Sequence, residues 1–200
     1  MSPSCIVKEI LSYNEVYSDV CKLKSVCTSF QSCSSKSTMT VVDFDKVKEK
    51  YCETNKIHPE LKSVDAICAK QDDSLFLFVE KKSWSQYFKH QALEQNDIMQ
   101  QSSNFGFQRK YEDSVKICCN ICCSKDLFTD ENHAFVFLTD ENFENPVQSI
   151  MGNLNILAAT SSIEFAKIWA SEASNNQMKT VLCQKRFVRY CKNFDSFING

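Results

Sequence analysis

The 200-residue chain predicts an α/β (α+β) fold: a mixed central β-sheet with a hairpin at its heart, flanked by helices. Three observations predict it. Two apolar, β-branched and aromatic segments, around Val64 to Ile67 and Leu75 to Val79, flank the polar turn Gln71 to Ser74, which is hairpin spacing. The order read along the chain is helix, strand, strand, helix, helix, strand, helix, strand, which suits a sheet covered by helices. Only three Gly and three Pro are present, too few for a many-turned all-β fold.

Each element has its own reason. Residues 5 to 30 read as helical, because Ile6, Ile10, Leu11, Val16, Val20 and Leu23 recur at three-to-five spacing. The small polar run from Ser32 to Thr38 reads as a loop. Residues 1–40 therefore form an N-terminal helical segment and loop, joined to an α/β domain over 41–200 in one compact unit. Asp43 can cap a helix running to about Asn55, with Phe44, Val47 and Tyr51 inward. Pro59 marks the connection into the hairpin. Beyond it, Trp84, Phe88, Leu93 and Met99 mark a helix over 84–101, and a second helix covers 107–124. His133 to Leu138 is a compact apolar strand, residues 161–173 a helix, and Thr180 to Val188 a last strand.

The hairpin carries the chemistry. Its turn is centred midway between Asp72 and Asp73, so residues 65 and 80 are equally distant from the centre and face each other. Directly opposed Cα atoms lie about 4.5–5.5 Å apart with side chains on one face. Strand period two adds Lys82 to that face. Two opposed carboxylates repel, and a divalent cation resolves the conflict. Mg²⁺ (or Mn²⁺) takes one or two carboxylates plus waters and phosphate oxygens. Asp65 and Glu80 are thus candidate metal ligands, and Lys82 is a candidate for orienting a water or stabilising charge on a phosphate. The plain reading of the same residues is a charged, solvated hairpin end with a weak Glu80–Lys82 ion pair.

An Asp closing one strand and Glu-x-Lys on the next resembles the PD-(D/E)xK nuclease superfamily, particularly short cores such as archaeal Holliday-junction resolvases. The resemblance covers roughly residues 43 to 100. It implies a restriction-endonuclease-like fold, metal-dependent hydrolysis of phosphodiester bonds, a nucleic-acid partner (DNA) and a homodimer. Asp65, Glu80 and Lys82 take the motif positions, while Val64 stands where the family's name-giving proline would be. Glu49 is the best-placed further acidic residue on the preceding helix. Gln91 and Gln95, one turn apart on the following helix, are candidates to touch substrate, although the Q-x-x-x-Y signature of one branch is absent.

Composition sets limits. A net charge of −2 lacks the basic footprint of a dedicated nucleic-acid binder, so phosphate contacts would need a local patch drawn from Lys81, Lys82, Lys89, Arg109 and Lys110. No Gly-rich phosphate loop occurs, which sets aside P-loop and Rossmann chemistry. No apolar run reaches membrane-spanning length and the N-terminus lacks a secretory core, which together predict an intracellular protein, cytoplasmic or nuclear, with no membrane partner. Twelve Cys are present, and the Cys118-Cys119-Asn120-Ile121-Cys122-Cys123 cluster contains a C-x-x-C that could give zinc two thiolates. No second pair completes such a site, so packed reduced thiols are the expectation. Two alternatives accompany the nuclease reading. One is a catalytically inactive nuclease-like module that binds a protein partner; the other is a zinc or redox role for the cysteine cluster.

Overall fold

The computed structural model describes residues 1–13, 20–22, 37, 39–90, 94–143 and 162–200. Six strands form one open sheet in sequence order: β1 (Val20–Lys22), β2 (Thr40–Asp43), β3 (Ala66–Ala69), β4 (Phe76–Lys82), β5 (His133–Thr139) and β6 (Arg186–Tyr190). The first four pair antiparallel as a meander, and β5 and β6 then add parallel to β4. The helices are α1 (Pro3–Ser12), α2 (Phe44–Asn55), α3 (Trp84–His90), α4 (Gln95–Ser103), α5 (Phe107–Ile121), α6 (Ser162–Thr180) and α7 (Phe194–Asn199). Helices α3 to α5 make the crossover from β4 to β5, and α6 lies in the one from β5 to β6. Parallel pairing requires such helical crossovers.

Side chains sort cleanly by strand parity. Phe76 and Phe78 of β4 and Ile67 of β3 join the larger core, beneath α1, α2, α5 and α6. Leu77, Val79, Ala66 and Cys68 point to the other face, where Phe194 and Ile198 of α7 cover them. The core is aromatic: Phe107 packs on Phe135 and Phe137 with ring centroids 5.6 and 5.0 Å apart. Strand β5 is buried along its whole length, which explains why its sequence reads as a continuous apolar run rather than an alternation.

Several boundaries differ from the sequence expectation. The helix expected over 5–30 is α1 at Pro3–Ser12, and Val20–Lys22 is an edge strand; Val16 and Leu23 fall outside the described residues. Strand β2 has only four residues and runs directly into the Asp43 cap of α2, so it is too short to show a period. The helix expected over 84–101 is two helices, α3 and α4, with 91–93 outside the described residues. Helix α5 stops at Ile121 rather than 124, and Cys123 takes a positive φ of 50° just beyond. The last strand begins at Arg186, because α6 continues to Thr180 and Leu182 is exposed in the connection. Among the described residues no helix is long and apolar enough to cross a membrane.

Candidate functional site

The segment before β3 is held in place from two helices. Lys62 N–H donates to Asp113 Oδ2 (2.9 Å) and Val64 N–H to Ser114 Oγ (3.0 Å), both on α5. Ser63 Oγ donates to Asp45 Oδ1 on α2 (2.5 Å). Asp65 follows, with its carbonyl accepting the N–H of Phe44 at the start of α2 (3.2 Å). The β3–β4 ladder pairs Ala66 with Val79 and Ile67 with Phe78, so its next rung sets Asp65 opposite Glu80. The register inferred from the turn centre is the observed one.

The side chains converge. Asp65 Oδ2 accepts the backbone N–H of Lys81 at 2.7 Å. Lys82 Nζ lies 2.5 Å from Glu80 Oε1, and Lys110 Nζ reaches the same oxygen from α5 at 2.7 Å. Lys110 Nζ is also 3.9 Å from Asp65 Oδ1, so one ammonium spans both carboxylates. The Glu80 side chain is fully buried, and its Oε2 has no hydrogen-bond partner among the described residues. Such an atom is costly to leave unpaired.

Burial pushes the Asp65 carboxyl up to about 7, and the neighbouring Glu80 charge adds to the rise. Lys82, Lys110 and the Lys81 N–H act in the opposite direction but do not cancel it. The charged form of Asp65 is thus penalised first by burial and then by the negative charge beside it.

Not every candidate joins them. Glu49 is exposed on α2, and no contact ties it to Asp65 or Glu80 among the described residues. Gln95 is exposed at the start of α4, and Gln91 lies outside the described residues. Lys81 contributes its backbone N–H to Asp65, but its side chain is only 3% exposed and points to the opposite face from Glu80 and Lys82. It is therefore withdrawn from solvent and not placed to track a phosphate on the site's face.

Two residues matter more than the sequence suggested. Lys110 sits on the buried stripe of α5 formed by Phe107, Tyr111, Ser114 and Ile117, and a lysine at i+3 within such a stripe is the signal that marks it. Asp140, just past β5, accepts from the N–H groups of Trp84 (2.9 Å) and Ser85 (3.2 Å) and from the hydroxyls of Ser83 and Ser85. It caps α3 and fixes the chain immediately after Lys82.

No group of three or more His, Cys, Asp or Glu side chains is placed to hold a metal among the described residues. Cys118 is buried with its thiol pushed well up, and burial pushes Cys122 up to about 11. Cys118, Cys119, Cys122 and Cys123 carry free thiols, Cys118 buried and Cys123 exposed.

Fold and site together define a mixed α/β protein with an open, mostly antiparallel six-stranded sheet, carrying two opposed carboxylates and two lysines at the C-terminal end of β4. No protein family, curated protein or solved structure matches the chain.

Proposed function

We propose that the protein is a metal-dependent nuclease of the PD-(D/E)xK type, with a restriction-endonuclease-like core, hydrolysing phosphodiester bonds in DNA. The convergence of Asp65, Glu80 and Lys82 at one hairpin end carries this reading. A meander of antiparallel strands followed by a helical crossover to a parallel neighbour supports it.

The residues fit a divalent cation. Two carboxylates suit Mg²⁺ or Mn²⁺ with waters and substrate oxygens completing the shell, and the unpartnered Glu80 Oε2 is a donor atom awaiting a cation. Asp65 and Glu80 would hold the ion, which when bound supplies a polarised phosphate and a more acidic water. Lys82, paired with Glu80 and with 30% of its side chain exposed, would meet the phosphate anion. The Lys81 N–H holds Asp65 toward Glu80, and Asp140 fixes the backbone just beyond Lys82.

A second reading rests on a specific observation. Lys82 and Lys110 together match the formal charge of both carboxylates, so the cluster is balanced without a metal. That suits a nuclease-like fold used as a binding module for a protein partner. Incubating the purified chain with labelled DNA in Mg²⁺ or Mn²⁺ separates the two. The nuclease reading expects cleavage that chelator abolishes and that Glu80→Ala and Lys82→Ala lose. Absence of cleavage supports the module instead, whereas full activity in both variants refutes the roles given to Glu80 and Lys82.

A further inference from the structure

We infer that Lys110 is the resident counter-ion of the carboxylate pair and that a divalent cation binds by displacing its ammonium. The inference rests on the metal-site reading of Asp65 and Glu80 and adds an exchange to it. Two opposed carboxylates at one hairpin end need a positive charge between them. Lys110 supplies it, because its Nζ contacts Glu80 Oε1 at 2.7 Å and Asp65 Oδ1 at 3.9 Å. That is the bridging position a cation shared by both side chains must take. Lys82 also acts on both carboxylates, contacting Glu80 Oε1 at 2.5 Å and lowering the Asp65 carboxyl through its charge, but it is carried on the same strand two residues from Glu80.

Two features make Lys110 the displaceable partner. Its side chain arrives from α5, a separate element, on a flexible four-carbon stem, and keeps 19% of its surface exposed, so a path to water exists. Glu80 has no such path, being fully buried with Oε2 unpartnered. An ammonium can satisfy one oxygen of Glu80 and lie near one of Asp65. A divalent cation carries twice the charge into the same place. Lys110 therefore keeps the fold charge-balanced in the absence of metal and weakens metal affinity by the work of moving it.

Calorimetric titration of Mn²⁺ into the full chain tests this without reference to catalysis. Lys110→Met, which keeps the apolar stem and removes the charge, is expected to bind Mn²⁺ at least about tenfold tighter than the unsubstituted chain, since a unit charge a few ångströms from the ion is lost. Lys110→Gln keeps a donor for Glu80 and should shift affinity the same way, which covers the case in which Lys110→Met folds poorly. A purely structural Lys110 would leave affinity unchanged or lower it. If the unsubstituted chain binds Mn²⁺ and both folded variants bind it no more tightly, the displacement is overturned while the metal site stands. If neither the unsubstituted chain nor the folded variants bind Mn²⁺ at millimolar concentration, the metal-site reading falls and the exchange with it.

Discussion

Replacing Asp65 by Asn should make the fold more stable above neutral pH, which is an unusual outcome for loss of a residue at a candidate active site. Asp65 is raised from 3.8 to about 7, first by burial and then by the charge of Glu80. A raised carboxyl stabilises the fold fully below its unfolded value, and that contribution is lost as pH rises through the folded value. The window is therefore about pH 4 to 7. A shift of this size corresponds to an upper bound of about 4 kcal/mol at about 1.4 kcal/mol per unit. Some 17% of the Asp65 side chain is accessible, and water at the rim reduces the cost to about 1–3 kcal/mol. Asn keeps an oxygen for the Lys81 N–H, now 2.7 Å from Asp65 Oδ2, and brings no charge. Urea unfolding of both proteins between pH 5 and 9, without metal, gives the comparison. The stability of Asp65→Asn relative to the unsubstituted chain should climb between pH 5 and 7 and level off above 8. A difference that stays flat across this range, or that falls with pH, would refute the reasoning.

Other expectations follow from single contacts. Asp140→Ala removes the acceptor of the Trp84 and Ser85 N–H groups and of the Ser83 hydroxyl, while Ser83 Oγ still accepts from Gln86 N–H, and should cost about 1–2 kcal/mol in urea unfolding. Phe137 is fully buried against Phe107, so Phe137→Ala should cost about 3–5 kcal/mol, visible as an unfolding midpoint well below that of the unsubstituted chain. Among the described cysteines, Cys5 and Cys123 are exposed and should react first with a thiol reagent, whereas Cys118 and Cys68 should react only on unfolding. Prompt modification of Cys118 in the folded chain would contradict its place in the core.

How much of this was legible in the sequence depends on the range of each interaction. The hairpin register came from a local count about one turn, and the structure has the same pairing of Ala66 with Val79. Strands β4 and β5 were legible because burial on both faces demands unbroken apolar runs. The short strands β1 and β2 were not, since three or four residues cannot display a period. Val181 and Cys183 resemble strand residues because both are buried, yet they lie in the connection before β6. The site divides in the same way. Asp65, Glu80 and Lys82 belong to one hairpin and could be paired by arithmetic. Lys110 arrives through three crossover helices, and Asp140 bonds residues more than fifty positions away. Tertiary packing alone brings those two into place. Glu49 shows the converse: its helix was foreseen, but its face of that helix is exposed.

The central claim is that Asp65 and Glu80 together hold a divalent cation for phosphodiester hydrolysis. Crystals of the full chain soaked in Mn²⁺, with anomalous diffraction locating the ion, test it most directly. The account predicts one Mn²⁺ within about 2.0–2.3 Å of a carboxylate oxygen from each of Asp65 and Glu80, with Lys110 moved off Glu80. A map with no ion at this pair, and Lys110 still on Glu80 Oε1, would contradict it.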